Sequence, residues 1–418
     1  MVAAFLIARQ FYRQRLVLNV LAGTAVVMLL VDPMDLFDVS FQLSFLSVAL
    51  MAGVALPILE RTLDPYRVAT IDLPNVDRDI HLPPKVAQTR IEWRMAAKHF
   101  PLPPRVSMAA LSRLMAVAVS AAELVVLSLS IQVGLSLPMA VYFQRISWSG
   151  VSANLFVIPL MSLIVPLGFA AIASGWTVLG QAVSALVTMT VAIVEWHARL
   201  AWLEARVPPP PAWFACLFAA ALIVFALAIG RRRLWQYAAA LAFAGALVAL
   251  VLHPFGPKLE PGRLELTALD VGQGEALLVS TPEGRTMLID GGGLASFGGS
   301  PARSLDVGED VVSPYLWSRS IRALDVIAIS HAHYDHIGGL PALLENFRVG
   351  ELWLGNNPST PDYERVLETA RRHGVALVRL ARGDARELGG VTFEVLAPAR
   401  DYVPRSKPSN DDSLVLAA

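Results

Sequence analysis

Three histidines and a carboxylate fall within six residues, in the run Ser330-His331-Ala332-His333-Tyr334-Asp335-His336-Ile337-Gly338-Gly339. The run follows directly on the apolar stretch Val326-Ile327-Ala328-Ile329. A strand that releases into a loop there can converge His331 and His333 on one cation. Asp335 and His336 can then turn toward a neighbouring one. Neutral imidazole and carboxylate are ligands for Zn²⁺, Mn²⁺ and Fe. Gly338 and Gly339 allow backbone close to the metals and a tight start to the next helix. The competing reading is a His-rich surface turn, and the count argues against it. The chain has only eight histidines, and three of them are here. Asp290, in Leu288-Ile289-Asp290-Gly291-Gly292, ends another apolar stretch. It is a candidate acceptor that orients a ligand histidine; a turn-forming Asp is the alternative.

Such a site needs strands to carry it, and the sequence changes character to supply them from Arg263 onward. Short apolar stretches suited to strands occur at 264–270, 275–280, 286–290, 325–330, 351–354, 375–380, 391–396 and 413–417. Helices are expected at 339–347 and 361–373. This pattern predicts an α/β domain whose sheet is built from several hairpins. Gly272-Gln273-Gly274 reads as a turn between early strands. No helix follows it, which argues against a phosphate cradle.

The first half of the chain is of another kind. Hydrophobic residues make up 55% of the whole and charged residues 16%, below the roughly 25% of average soluble proteins. The charges are split unevenly: residues 263–418 carry 36 and residues 107–260 only 12. Seven stretches approach the roughly 20 apolar residues that a membrane span needs: about 16–31, 41–59, 114–138, 150–173, 176–198, 211–230 and 236–254. Between the second and third, segment 60–106 holds 14 charges and reads as a soluble insertion. Its residues 88–100 suit a basic helix on an anionic membrane surface or a solvated linker. Arg9, Arg13 and Arg15 place the N-terminus in the cytoplasm, and Arg231–Arg233 place the sixth loop there. The last span then exports everything after residue 255. Arg145, Arg199 and Arg206 run mildly against that orientation. Polar groups and prolines at membrane depth point either to helix packing or to a polar path. Gln132, Asn154 and Pro159 are the candidate channel-lining residues. The lone Cys216 excludes a disulfide framework or a cysteine zinc site.

Several motifs carry a family resemblance. A strand ending in Asp-Gly, followed by His-x-His-x-Asp-His, resembles the metallo-β-lactamase superfamily. The flanks are more specific: Leu269-Asp270-Val271-Gly272-Gln273-Gly274-Glu275-Ala276, Ser313-Pro314-Tyr315-Leu316 and Asn410-Asp411-Asp412-Ser413-Leu414 resemble the soluble domain of the ComEC family of bacterial competence proteins. In the membrane half, Asp32-Pro33, Phe37-Asp38-Val39-Ser40-Phe41-Gln42-Leu43-Ser44 and Asn154-Leu155-Phe156-Val157-Ile158-Pro159-Leu160 resemble that family's competence region. Glu275 stands where the family usually has Asp, and His333 where many members have Asp.

The resemblance implies a polytopic α-helical membrane domain followed by an α/β metallo-β-lactamase-like domain, the first half of an αββα sandwich. The expected layout is spans in 1–59, a cytoplasmic insertion in 60–113, spans in 114–255 and the metal domain in 263–418. The implied function is DNA uptake across the bacterial inner membrane: one strand passes through the membrane, while the metal domain hydrolyses the other. His331, His333, Asp335 and His336 would be ligands to two divalent ions, Zn or Mn, with Asp335 and His336 catalytic. Implied partners are DNA, the lipid bilayer and other competence proteins. The family's remaining metal ligands would lie beyond residue 418, so this chain is expected to be a piece of a longer protein with little nuclease activity of its own. The rival readings are a membrane-tethered hydrolase of a small molecule and a transport-only protein with a vestigial metal domain.

Overall fold

The computed structural model describes residues 17–101, 103–231, 233–294 and 305–418. Arg9, Arg13, Arg15 and Arg232, used above for orientation, lie outside them. The chain divides into two compact units, Met1–Ala205 with Pro211–Leu252, and Arg206–Pro210 with His253–Ala418.

The first unit is helical. Its α-helices are α1 (Val17–Val31), α2 (Val39–Thr62), α3 (Asp64–Thr70), α4 (Pro84–Ala97), α5 (Pro104–Gly134), α6 (Ser136–Phe143), α7 (Ser149–Ser174), α8 (Thr177–Ala198), α9 (Ala212–Ala228) and α10 (Arg233–Leu252). Among the described residues, five helices are long and apolar enough to cross a membrane: α2, α5, α7, α8 and α10. The stretches at 16–31 and 211–230 form apolar helices too, but of only 15 and 17 residues. The stretch expected at 114–138 begins ten residues earlier and stops at Gly134. Pro138 has no N–H to give the carbonyl four residues back, and a separate helix, α6, starts there. Large apolar side chains point outward, with Phe169 71% and Ile172 83% exposed. A water-soluble helical domain would bury them; a lipid-facing one need not.

The insertion between α2 and α5 folds around one side chain. Arg90 of α4 is fully buried. Nη1 donates to the carbonyls of Ala69 (3.0 Å) and Ile71 (2.6 Å), and Nη2 to those of Asp72 (2.7 Å) and Asn75 (3.0 Å). Nε donates to Asp79 Oδ1 at 2.6 Å. All five guanidinium N–H groups are therefore used, and the 71–79 turn is wrapped around them. Arg94 adds a second contact to Asp79. Together the two arginines hold the Asp79 carboxyl below its ordinary range, the Arg94 hydrogen bond contributing most.

The second unit is α/β. Its strands are β1 (Glu265–Ala268), β2 (Leu277–Ser280), β3 (Thr286–Ile289), β4 (Ala323–Ile329), β5 (Arg348–Leu354), β6 (Ala376–Arg379), β7 (Ala385–Leu388), β8 (Val391–Ala397) and β9 (Val415–Ala417). Its helices are α11 (Ser313–Ser318), α12 (Tyr334–Ile337), α13 (Leu340–Asn346) and α14 (Pro361–Arg372). One six-stranded sheet runs β1-β2-β3-β4-β5-β6, and a three-stranded sheet runs β9-β8-β7. Only β1-β2-β3 and β7-β8 are hairpins. From β3 to β6 every pairing is parallel, so the several hairpins expected from the sequence account for the edge of the large sheet and part of the small one, and not for the centre of the large sheet. Parallel neighbours need crossovers, and the segments carrying α11, α12–α13 and α14 provide them.

Alternation along the central strands makes two cores. Leu288, Ile327, Leu352 and Leu354 pack toward the helices. Met287, Val326, Ala328 and Trp353 pack with Phe393 and Val395 of the second sheet. That is the period of two of a strand buried on both faces. The α14 helix is amphipathic in the ordinary way: Tyr363, Val366, Leu367 and Ala370 are buried, Thr360 caps its start and Arg371 and Arg372 lie in its last turn.

Candidate metal centre

The parallel strands β3 and β4 end side by side, with Ile289 opposite Ala328. Their C-terminal extensions are therefore neighbours: Asp290 after one, Ser330 and His331 after the other. Asp290 is completely buried and sits in the left-handed region at φ 61°, which Asp tolerates better than most residues. The Ser330 N–H donates to Asp290 Oδ1 at 2.8 Å and the Ser330 hydroxyl to Oδ2 at 2.5 Å. His336 Nδ1 lies 2.7 Å from the same Oδ2. Nε2 of His336 lies 3.9 Å from an Asp335 carboxylate oxygen, and in the neutral ring, with Nδ1–H donated to Asp290, it is the nitrogen that carries the lone pair. This is the orienting arrangement seen around metal-bound histidines.

His331 and His333 approach each other, Nε2 to Nδ1, at 2.8 Å. Two nitrogens on one tetrahedral ion, each about 2.0–2.1 Å from it, would be about 3.3 Å apart. The pair is within about half an ångström of that spacing, so the donor set fits a shared ion after a small ring rotation. On its other side His333 Nε2 meets the Pro408 carbonyl at 3.0 Å.

The four histidine and aspartate candidates of the motif thus gather at one strand end, and Asp290 reaches them from 46 residues away. Glu275 joins them: it, Asp290 and His336 each offer a ligand atom within 4.8 Å of the others. The electrostatics separate two of the histidines. Burial, with His336 and His333 nearby, pushes His331 below its ordinary value and so favours its neutral form. Burial also lowers His336, but the Asp290 hydrogen bond and the charges of Asp290, Asp335 and Glu275 outweigh it, and the net shift is upward.

Glycines let the surrounding turns approach. A Cβ on Gly274, which sits at φ 116°, would lie 2.1 Å from the Asp335 carbonyl oxygen, and one on Gly293 would lie 2.1 Å from that of Tyr334. The Gly272-Gln273-Gly274 turn is thus a packing partner of the histidine loop, and it carries Glu275 to the site. Two contributors were not singled out for the site from sequence. Asn357 Oδ1 accepts the Ala332 N–H at 3.0 Å, between the two paired histidines. The Ser330 carbonyl accepts the Leu414 N–H at 2.7 Å. Asn357 stands three residues past the apolar end of β5, at the same sheet edge, and that position was the available signal.

The candidate channel residues are placed differently. Asn154 of α7 donates to Ser128 Oγ of α5 at 3.2 Å. Gln132 of α5 faces Gly150 of α7, its Oε1 3.3 Å from where a Cβ would stand. Both are in the seam between α5 and α7. Pro159 is exposed and lies five positions beyond Asn154, about 140° further round the helix. It does not join them.

The comparisons can be set beside this geometry. Residues 1–232 match the family model described as Competence protein. The chain belongs to the competence protein family. Residues 269–406 match the model of the metallo-beta-lactamase superfamily, so this competence-family chain pairs a multi-pass membrane region with a metallo-β-lactamase-like α/β domain. It is 30% identical over 316 residues to ComE operon protein 3 of Bacillus subtilis (strain 168), covering 71% of this chain and 39% of that protein. It is 32% identical over 238 residues to the uncharacterized protein YcaI of Escherichia coli (strain K12), covering 55% and 29%. The chain thus spans well under half the length of either relative. A solved structure, CmlA, a diiron beta-hydroxylase from Streptomyces venezuelae, is 18% identical with a TM-score of 0.22, covering 49% of this chain and 37% of that one. At that score the likeness carries no argument.

Proposed function

We propose that this chain serves DNA uptake across the bacterial inner membrane, its helical unit passing a single strand and its α/β domain cutting phosphodiesters. The observation that carries the reading is the conjunction, in one competence-family chain, of a membrane unit with a strand-end cluster of His331, His333, Asp335 and His336 braced by Asp290. His331 and His333 would hold one divalent ion, and Asp335 and His336 a second, Zn or Mn. Bound metal supplies a water activated near neutral pH and positive charge for the phosphate oxygens. The chain's own residues do the rest. Asp290 keeps the His336 proton on Nδ1 and its lone pair outward. Asn357 pins the backbone between His331 and His333. The glycine turns bring Glu275 beside Asp290 and His336. Metal is needed to hold phosphate, because residues 263–418 carry 15 basic and 21 acidic groups and would not attract DNA at long range. The same reading puts the α/β domain outside the cytoplasm, supported by Arg231 and Arg233 before the last span.

Two measurements test this. In the full-length protein, the pair His331→Ala and His333→Ala should abolish metal-dependent digestion of labelled DNA and leave the protein in the membrane. Digestion that survives both substitutions would sink the assignment of the site. A reporter active only outside the cytoplasm should be active when fused at Ala418 and silent at Arg233; the reverse result would invert the topology.

A further inference from the structure

The insertion between α2 and α5 contains a cleft of about 400 Å³, within the size range of small-molecule sites. It lies between α4, the turn at 74–76 and the first turns of α5. Its walls are apolar, formed by Val76, Ile91, Met95 and Met108, and Arg94 and Lys98 stand among its lining residues. The apolar lining is itself open at the surface: Val76 is 61% exposed and Met95 57%. Exposed apolar side chains gathered in one cleft of a charged segment mark a partner or a membrane.

Two observations say which. The first is position. The α5 helix has 31 residues, about 46 Å of helix against a hydrocarbon core of about 30 Å. Its surplus lies at the N-terminal end, where Arg105, Ser107, Ser112 and Arg113 break the apolar run. The cleft is at that end and so lies near the headgroup level. The second is charge. Residues 84–113 contain six basic groups and one acidic group. Arg90 and Arg94 are engaged with Asp79, whereas Lys98 and Arg105 are exposed. An apolar cleft with cations beside it fits a molecule that has a hydrocarbon tail and an anionic head.

We propose that this cleft binds an anionic phospholipid, one acyl chain against Val76, Ile91, Met95 and Met108 and the phosphate beside Lys98 and Arg105. The Arg90 node holds the site open, because it fixes α4 against the 71–79 turn that forms one wall. The inference uses only the membrane setting of the chain and is independent of any role in DNA handling.

The test is retention of lipid by the full chain, extracted from bilayers of equal parts phosphatidylglycerol and phosphatidylcholine and weighed by native mass spectrometry. Phosphatidylglycerol should be retained preferentially. Each basic group beside an anionic headgroup is worth roughly fivefold, so Lys98→Glu with Arg105→Glu should cut its retention by about 25-fold or more. Met95→Asp should reduce retention of both lipids, and Lys98→Arg should preserve the preference. Equal retention of the two lipids by the unaltered chain would overturn the proposal, as would undiminished phosphatidylglycerol on a charge-reversed variant with an unchanged circular dichroism spectrum. A polypeptide retained in place of lipid would overturn it too. Should the double variant misfold, Lys98→Gln alone decides the matter by a roughly fivefold loss or none.

Discussion

The helical unit and the α/β unit both set polar side chains among apolar ones, and they use them in opposite ways. In the helical unit the polar groups answer one another. Asn154 donates to Ser128, the Tyr142 hydroxyl donates to Gln42 Oε1 at 2.6 Å, and Gln42 Nε2 donates to the Leu36 carbonyl at 2.8 Å. Arg90 uses every N–H it has within the insertion. In the α/β unit Asp290 is equally well satisfied, but its bond to His336 Nδ1 leaves Nε2 of that ring 3.9 Å from the Asp335 carboxylate. A polar residue in an apolar sequence context therefore signals packing when its partners close on themselves. It marks a candidate ligand site when a ring nitrogen is turned toward a carboxylate instead.

The sharpest way to break that contrast is at Arg90. Removing one member of a buried ion pair costs about 3–5 kcal/mol because the other is left unpaired, and here four carbonyls lose donors as well. Arg90→Ala should therefore expose the 60–113 insertion to limited proteolysis in membranes, without changing the metal content of the α/β unit. Metal lost along with the insertion would show that the two are not separate in function.

Asp290→Ala addresses the other side. Losing the group that orients a ligand histidine typically lowers metal affinity 10–100-fold, about 1.4–2.7 kcal/mol. Metal retained after dialysis should fall by that order while far-ultraviolet circular dichroism stays unchanged. Unaltered metal affinity would make Asp290 a turn residue only.

A smaller effect is expected from Glu265. The Arg319 hydrogen bond holds its carboxyl below the ordinary value of 4.5. A depressed folded pKa means stability that is present above the unfolded value and is lost as pH falls through the folded one. The α/β unit should lose stability below about pH 4.5, and Glu265→Gln should flatten that limb by under about 1 kcal/mol, since the pair is partly exposed. Chemical denaturation at pH 3, 4 and 6 measures it; equal slopes for both proteins would remove the pair from the account.

Smallest is Asn154→Leu. Interhelical hydrogen bonds in membranes average about 0.6 kcal/mol. If Asn154 only packs, thermal stability should shift by about that much and transformation by the full-length protein should be normal. A large loss of transformation at unchanged protein level would place Asn154 on a transport path and erase the contrast drawn above.

Much of the α/β unit was legible because its strands are apolar runs bounded by Gly, Asp or Pro. The β7 strand was not. Ala385-Arg386-Glu387-Leu388 has no alternation to read, and its extended form depends on the β8 partner, with Leu388 opposite Val391 and Arg386 opposite Phe393. The α11 helix was hidden similarly, a six-residue element whose Leu316 and Trp317 are buried in the helix-side core. For the candidate site, spacing singled out His331, His333, Asp335 and His336. Glu275 and Asn357 stand in the turns after β1 and β5, and only the meeting of those strand ends brings them to the site.

What the sequence determined alone is whatever covalent spacing controls. It set the order of an apolar helical half and an α/β half, the crowding of three imidazoles and a carboxylate after one strand, and the glycines beside them. Tertiary structure decided the partnerships. Asp290 meets His336 only because β3 and β4 pair in parallel with their ends in register. Arg90 finds its carbonyls only because a turn closes over it. Short separations are fixed by bond geometry. Long ones depend on which chain closure buries apolar surface while leaving no polar group unpaired, and no single stretch of residues contains that information.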